Sequence, residues 1–308
     1  MQGETRKEEA VDVLLEAAPR NVNVGLVGGN GAGKTTLLNI LSGIVKPDRG
    51  SVEFFGKDIT KLNASEVCTL GIGRTFQNLR LFAHMSVLEN VLVGLHPHLE
   101  AGISASMLRT SGSRAEESAA RSEAMSLLRL VGLHERAIVP AGSLPYGLQR
   151  RLEIARALAT APEFLVCDEP TSALDVSVQA QVLNIMKDLQ RERGLTYLFI
   201  SHNLAVVRHV SDQVGVMYLG RLVELADKHT LFSNPQHPYT RMLLDAIPKM
   251  HDTGRARTPV QGEVPNPLNP PTGCSFHPRC PQVTERCKTE RPAWRQLKGI
   301  QIACHVAG

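Results

Sequence analysis

The segment 28–35 constrains this chain most, because its sequence GGNGAGKT has two glycines separated by four residues and followed by Lys and Thr. This pattern is typical of a phosphate-binding loop that joins a strand to a helix. The apolar run 22–27 precedes the loop as a predicted buried strand, and residues 35–41 follow it as a predicted helix. The sequence therefore predicts an α/β domain that holds the phosphates of a nucleotide.

The residue types in this loop suit an anion. The glycines let backbone N–H groups and the start of the helix face the phosphates, Lys34 can reach the outer phosphates, and the Thr35 hydroxyl can bind Mg²⁺. The alternative is a Gly-rich turn with an accidental lysine, and the flanking strand and helix argue against it. The residues predicted to bind the nucleotide in this loop are Gly28, Asn30, Gly31, Gly33, Lys34, Thr35 and Thr36.

The composition is that of a globular chain. Its 308 residues, 43% of them hydrophobic, allow one large domain and a smaller one. The net charge of +4 lies in residues 251–308, where eight Lys and Arg oppose four Asp and Glu, so no nucleic-acid-binding signature is present. No apolar run reaches the ~18 residues of a membrane span and none follows Met1, which predicts a cytoplasmic chain without leader or anchor. A short helical pattern at 11–18 carries no identified chemistry.

Two carboxylates end an apolar run at 163–169, EFLVCDE. With a phosphate-binding loop elsewhere in the chain, this run is typical of a Walker B strand, in which Asp168 holds Mg²⁺ and Glu169 polarises the attacking water. Considered alone, an acidic pair after a strand would more often cap a helix or face solvent. His202 follows another predicted strand, 196–200, where it can hydrogen-bond a γ-phosphate, although a lone histidine there would more often be a cap.

Three further motifs complete the set. Gln77, within GRTFQNLRL, can ligate a metal or orient a water, whereas on its own it would be a polar loop residue. The motif LPYGLQ at 144–149 precedes a helix predicted at 149–159, and the helix start forms a second anion site that would serve another subunit's nucleotide. The motif SALD ends at Asp175 and leads into a predicted helix that Gly194 closes.

In chain order, GGNGAGKT, Gln77, LPYGLQ, LVCDE, SALD and His202 resemble the ATPase subunit of an ABC transporter, and the match covers nearly everything from Gly25 onward. The resemblance implies an α/β P-loop NTPase domain of the ABC type at residues 1–250. It further implies a helical subdomain at about 82–143 and a small Cys-rich C-terminal extension at 251–308.

The resemblance also implies a division of roles between two subunits. They enclose two ATP molecules, each bound by the phosphate loop of one subunit and the LPYGLQ motif of the other. Gln77 would sense the γ-phosphate and couple it to a membrane permease. The family's motif usually reads LSGGQ, so Pro145 in place of the serine puts one hydroxyl contact in doubt. The resemblance adds Tyr146, Gly147 and Asp175 to the nucleotide site, and Gln77 to the Mg²⁺ ligands Thr35 and Asp168.

The two halves of the chain resemble different importers. From Gly25 to about Cys167, with RTFQNLRLF and QRRLEIARAL, the chain is similar to branched-chain amino-acid importer ATPases. From about Asp168 onward, with DEPTSALDVSVQAQVLNIMKDLQ, NPQHPYTRMLLDAIP and GEVPNPLNPPTGCSFHPRCP, it is similar to oligopeptide and dipeptide importer ATPases. The two resemblances meet near Thr171.

These resemblances imply an ATP-hydrolysing subunit that powers an importer of oligopeptides or dipeptides, or of branched-chain amino acids. Its partners would be a second ATPase subunit, identical or different, membrane permease subunits and, indirectly, a substrate-binding protein, at the cytoplasmic face of the membrane. Two alternatives stay open: a soluble ABC ATPase acting on nucleic acid or in translation, and a nucleotide-binding module without hydrolysis. A single cassette and no basic stripe disfavour the first, and hydrolysis would exclude the second.

Four cysteines lie in the C-terminal tail and suggest a metal-ligand set. None of their spacings is the CxxC of a zinc ribbon, although His277 and His305 are near enough to substitute for a thiol. The resemblance to peptide-importer ATPases implies an iron–sulfur cluster, and zinc and free thiols stay open as alternatives. Disulfides are not expected in a reducing cytosol. The four cysteines are Cys274, Cys280, Cys287 and Cys304.

An aromatic residue that usually stacks on adenine upstream of the phosphate loop in this family is missing, since the first aromatic is Phe54. Residues 1–27 are also too few for the family's usual pair of leading strands. The loop is predicted to bind the phosphates, and no identified residue recognises the base. We therefore expect GTP to bind nearly as well as ATP.

Overall fold

The computed structural model describes residues 20–98, 111–246 and 262–308. The chain divides into two compact units, the first formed by Met1–Lys61 with Leu198–Gly308 and the second by Leu62–Tyr197. The helical pattern predicted at 11–18 lies outside the described residues. Within the described ranges, no helix has both the length and the apolar character needed to cross a membrane.

The helices and strands follow one another as an α/β chain. The strands are β1 (Val24–Val27), β2 (Glu53–Phe54), β3 (Lys57–Asp58), β4 (Ile72–Thr75), β5 (Phe164–Asp168), β6 (Thr196–Ile200), β7 (Gln213–Tyr218), β8 (Arg221–Asp227), β9 (Arg295–Leu297) and β10 (Ile300–Ile302). The α-helices are α1 (Lys34–Leu41), α2 (Ala64–Thr69), α3 (Val87–Leu95), α4 (Ser111–Leu130), α5 (Tyr146–Ala159), α6 (Val176–Arg193), α7 (Leu204–Val210), α8 (Lys228–Ser233), α9 (Pro238–Asp245) and α10 (Glu285–Thr289).

The sheet of the first unit is built around β1. This strand pairs in parallel with β6 on one side, Val24 opposite Leu198, and with β7 on the other. All four residues of β1 are buried, which is why its sequence VGLV is apolar throughout rather than alternating. The sheet continues through antiparallel pairs from β7 to β8 and from β8 to β10. Strands β9 and β10 come from the tail, so this part of the chain extends the sheet of the first unit.

The second unit has a parallel pair, β4 and β5, aligned from Ile72 opposite Phe164 to Thr75 opposite Cys167. The carboxyl ends of parallel strands share one edge, so the segments that begin at Phe76 and Glu169 leave the sheet side by side. Helices α3, α4 and α5 pack on one another in this unit. Their shared core is apolar and includes Val87, Val91, Ala124, Leu127, Leu128 and Leu152.

Several predicted elements are confirmed and one boundary is wrong. The predicted strand at 196–200 is β6, and the helix after SALD ends at Gly194, which has the left-handed φ of 66° expected of a C-cap glycine. The helix predicted at 149–159 begins instead at Tyr146. Pro145 has a φ of −53° and its carbonyl oxygen accepts the N–H of Gln149, so the motif LPYGLQ forms the first turn of α5 rather than a loop before it.

Candidate nucleotide-binding and catalytic site

The glycine loop of the first unit joins β1 to α1 and packs tightly on the end of β7 and on the turn that follows it. A Cβ on Gly28 would collide with the carbonyl oxygen of Met217. Gly33 has a φ of 93°, in the left-handed region, and a Cβ there would lie 3.2 Å from the Cα of Gly220. The N–H of Gly220 donates to the carbonyl oxygen of Ala32 at 2.8 Å. The packing of the loop therefore requires glycine at both positions, in addition to any requirement imposed by a bound anion.

Lys34 lies across its own loop, donating from Nζ to the carbonyl oxygens of Gly28 at 2.8 Å and Gly29 at 3.0 Å. The other polar side chains of the loop face outward, because Asn30, Thr35 and Thr36 are exposed. The structure thus presents the predicted phosphate-binding residues on one accessible segment.

His202 is exposed and follows the end of β6. Its alternative role as a helix cap is taken by the next residue, since the Asn203 side chain accepts the N–H groups of Ala205 at 3.1 Å and Val206 at 3.4 Å. The capping interpretation therefore belongs to Asn203. Interaction of His202 with a γ-phosphate stays a prediction.

In the second unit, Gln77 and Glu169 are brought together from positions 92 residues apart. The Gln77 Nε2 donates to Glu169 Oε2 at 3.4 Å. Glu169 has a φ of 48°, a left-handed conformation that costs a residue other than glycine of the order of 1 kcal/mol. Strained backbone of this kind is concentrated at active sites. The predicted water-polarising carboxylate and the predicted γ-phosphate sensor are thus neighbours.

Asp168, the predicted Mg²⁺ ligand, is buried at the end of β5 beside an arginine. Arg74 Nη2 lies 3.7 Å from Asp168 Oδ2. Burial lowers the pKa of Arg74, and the nearby Asp168 carboxylate opposes that shift. Arg74 therefore compensates part of the charge that Asp168 brings into the protein interior.

A buried ion pair on α5, which the sequence did not predict, holds the backbone around Gln77. Arg150 Nη1 lies 2.7 Å from Glu153 Oε2, and the two side chains are 0% and 1% exposed. The guanidinium donates to the carbonyl oxygens of Phe76 and Gln77, each at 2.5 Å, and Glu153 Oε1 accepts the Phe76 N–H at 3.2 Å. Burial raises the pKa of Glu153, and Arg150 opposes the shift. The sequence signal that could have predicted this pair is an Arg and a Glu three residues apart, directly after LPYGLQ.

The predicted partner-facing residues also have roles within the second unit. Tyr146 is 41% exposed, and its hydroxyl accepts a hydrogen bond from Arg150 Nη2 at 3.3 Å. A Cβ on Gly147 would lie 2.5 Å from a methyl group of Val178, so glycine lets α5 approach α6. Asp175 caps α6 by accepting the Val178 N–H at 2.9 Å. Contacts of Tyr146, Gly147 and Asp175 with a nucleotide stay predictions.

The four tail cysteines are free thiols, and their role as a metal-ligand set stays a prediction. Among the described residues, no group of three or more His, Cys, Asp and Glu side chains could hold a metal ion. Burial raises the pKa of Cys274 to about 11, and the nearby thiols of Cys304, Cys287 and Cys280 raise it further, so the Cys274 thiol favours the neutral form. A neutral thiol is a poor metal ligand.

Comparison with known proteins assigns the family. Residues 16–172 match the ABC transporter family, and residues 223–287 match the C-terminal region of oligopeptide/dipeptide transporters. The chain belongs to the ABC transporter ATP-binding family. The resemblance drawn from the motifs is thereby confirmed, and with it the ABC-type α/β fold and the binding and hydrolysis of ATP.

Sequence similarity to individual relatives of this ABC ATPase covers both halves of the chain. The di/tripeptide transport ATP-binding protein DppF of Pseudomonas aeruginosa is 42% identical, covering 99% of this chain and 91% of the relative. The oligopeptide transport ATP-binding protein AppF of Bacillus subtilis is 39% identical, covering 97% of this chain and 89% of the relative. Among solved structures, the ADP conformation of MJ1267, an ATP-binding cassette of an ABC transporter, is 31% identical with a TM-score of 0.60, covering 71% of this chain and 86% of that one.

Proposed function

We propose that this ABC ATPase powers the import of dipeptides or oligopeptides. The observation that carries the proposal is the match of residues 223–287 to the C-terminal region of oligopeptide/dipeptide transporters. A relative whose name specifies di/tripeptide transport is 42% identical over 99% of the chain, which includes the half that resembles branched-chain amino-acid importers. Import of branched-chain amino acids is the second candidate, favoured by the segment RTFQNLRLF.

The proposed reaction is hydrolysis of ATP, in which water attacks the γ-phosphorus, the bond from that phosphorus to the β,γ-bridging oxygen breaks, and ADP and phosphate are released. Lys34 and the N–H groups of the glycine loop would bind the phosphates, and His202 would hydrogen-bond the γ-phosphate. Glu169 would take up the proton of the water as it attacks. The 3.4 Å contact between Gln77 and Glu169 supports this role, since it would let the γ-phosphate sensor influence the base.

Mg²⁺ is the proposed metal of this reaction, and its charge would compensate the phosphate oxygens. The proposed ligands offer hard oxygen atoms, namely the Thr35 hydroxyl, the Asp168 carboxylate and the Gln77 amide oxygen. The donor types fit Mg²⁺, which prefers oxygen. Arg74 lies 3.7 Å from Asp168. Bound Mg²⁺ would either share the Asp168 carboxylate with this guanidinium or displace it.

The proposed assembly is a dimer of ATPase subunits beneath membrane permease subunits, at the cytoplasmic face of the membrane. Tyr146, Gly147 and Asp175 of one subunit would contact the ATP held by the loop of the other. A substrate-binding protein would deliver the peptide to the permease, so its contact with this chain is indirect.

The tail is proposed to bind a metal, as an iron–sulfur cluster or as zinc. The mutual influence of the tail thiols on the pKa of Cys274 supports the proposal, because it requires them to be neighbours. The N–H of Cys274 donates to the carbonyl oxygen of Cys287 at 2.9 Å, which ties two of the four cysteine segments together. Metal binding would have to deprotonate the thiols and draw them closer.

Reconstitution tests the transport proposal. The chain would be co-expressed with a dipeptide permease and, separately, with a branched-chain amino-acid permease, each with its binding protein in lipid vesicles. We expect ATP hydrolysis that rises on adding a dipeptide with the first permease, and no complex with the second. Capture and stimulation by the branched-chain permease alone would contradict peptide import and favour the second candidate.

A further inference from the structure

Tyr239, in the first turn of α9, contacts the phosphate loop from the far end of the sequence. Its hydroxyl oxygen accepts the N–H of Gly29 at 2.8 Å across 210 residues. The side chain is 2% exposed. Its ring packs at 4.6 Å from the ring of Tyr218 and at 5.4 Å from the ring of Phe276, measured between centroids. The hydroxyl is therefore held against one peptide group of the loop.

The position of Tyr239 is fixed from the buried carboxylate of Glu224 on β8. Glu224 accepts the N–H groups of Gln236 at 2.7 Å and His237 at 3.0 Å, and His237 Nδ1 accepts the N–H of Tyr239 at 3.0 Å. Burial lowers the pKa of His237 to about 3, so the ring is neutral and this acceptor is kept at physiological pH. The chain of hydrogen bonds orders the start of α9, and hence the tyrosine.

The contact suits a loop that must receive phosphate. Burial raises the pKa of Tyr239, and the Gly29 N–H opposes the shift, so the phenol is neutral at pH 7 and adds no negative charge beside the loop. Gly29 lies between Gly28, which is packed against Met217, and the exposed Asn30 and Gly31. With its N–H bound to the hydroxyl, the Gly29 peptide cannot rotate freely, so the residues that follow it start from a defined orientation.

We propose that Tyr239 is a positioning residue for nucleotide binding, because its hydroxyl holds the Gly29 peptide and thereby pre-organises the phosphate loop. The inference rests on the proposed role of this loop in binding ATP. It adds a contact between α9 and the loop to the proposed parts of the site. The ring of Tyr239 is in turn packed against Phe276, which lies two residues after Cys274 in the tail.

The test compares two variants that each remove one hydroxyl from the same aromatic cluster. Tyr239→Phe removes the acceptor of the Gly29 N–H and keeps the ring. Tyr218→Phe is the matched control, because its hydroxyl is buried without a hydrogen-bond partner among the described residues. We expect Tyr239→Phe to raise the Kd and KM for Mg·ATP about 2- to 10-fold with kcat within twofold, as for loss of one hydrogen bond. Tyr218→Phe should leave Kd and KM unchanged.

The measurements are equilibrium binding of Mg·ATP, steady-state phosphate release and thermal unfolding, all on the purified full chain without a permease. Unchanged Kd and KM in Tyr239→Phe would overturn the proposal, and so would an equal rise in Tyr218→Phe. A merely structural tyrosine would lower the Tm and the active fraction while KM stayed constant. ATP binding by the unmodified chain is measured first. If that chain did not bind ATP, the result would contradict the proposed function of the loop and not the role of Tyr239.

Discussion

Glu169 is the residue on which hydrolysis is expected to depend. Its carboxylate follows Asp168 directly in the sequence, its backbone is left-handed, and its side chain contacts Gln77. Glu169→Gln keeps the shape of the side chain and removes its ability to accept a proton. We expect ATP to bind normally while turnover falls about 100-fold or more, as is typical for loss of a general base. Phosphate release at saturating Mg·ATP, beside equilibrium ATP binding, measures the two effects separately.

Glu163→Gln is the control for that change, since Glu163 is an exposed glutamate just before the same strand. Its turnover should match that of the unmodified chain. Phosphate release by Glu169→Gln at a near-normal rate would show that another group polarises the water.

At the scale of elements, the link between α5 and the segment of Gln77 is the feature to test. Arg150→Met leaves the Glu153 carboxylate buried without its partner, so we expect the free energy of unfolding to fall by about 3–5 kcal/mol. Adding Glu153→Leu should recover most of that loss, because no charge then stays buried. Turnover should remain low in the double variant, since the carbonyl oxygens of Phe76 and Gln77 still lack their donor. Chemical denaturation and phosphate release test both statements.

An exposed ion pair on α6 provides the comparison. Arg191 pairs with Asp188 at the surface, so Arg191→Met should change the free energy of unfolding by less than about 1 kcal/mol. Equal losses in Arg150→Met and Arg191→Met would mean that burial of the α5 pair does not matter.

A second prediction at this scale concerns the tail segment that carries the cysteines. Cys280→Ser should abolish metal binding by the tail after anaerobic purification and leave the Kd for Mg·ATP unchanged, since a serine hydroxyl is a poor ligand for iron or zinc. Cys68→Ser, at a cysteine far from the tail in sequence, is the control and should retain the metal. Finding neither iron nor zinc in the unmodified chain would contradict the prediction.

The elements also show how far sequence reasoning reaches. The strand, loop and helix around Lys34 were predictable because hydrophobic periodicity and glycine spacing are local signals. The contacts of Tyr239 with Gly29 and of Arg150 with Gln77 span 210 and 73 residues, and no local pattern encodes them. The predicted start of α5 is three residues late because Pro145 caps the helix instead of preceding it by a loop.

At the scale of the whole molecule, the predicted catalytic set is divided between the two units. The phosphate loop and His202 belong to the first, and Gln77, Asp168 and Glu169 belong to the second. Binding of the phosphates is proposed to depend first on the loop of the first unit.

The proposed role of the loop leads to a prediction about base selectivity. Backbone N–H groups and the Lys34 ammonium are proposed to bind the phosphates, which ATP and GTP share, and no identified residue recognises the base. We expect the Kd values for Mg·ATP and Mg·GTP to differ by less than tenfold, that is by less than about 1.4 kcal/mol. Equilibrium titration of the purified chain with each nucleotide measures the difference. A tenfold or greater preference for ATP would mean that a side chain recognises adenine. Phe55, 55% exposed under the guanidinium of Arg20 at 5.2 Å, would then be the first ring to replace, since loss of the preference in Phe55→Ala would identify it as the stacking partner.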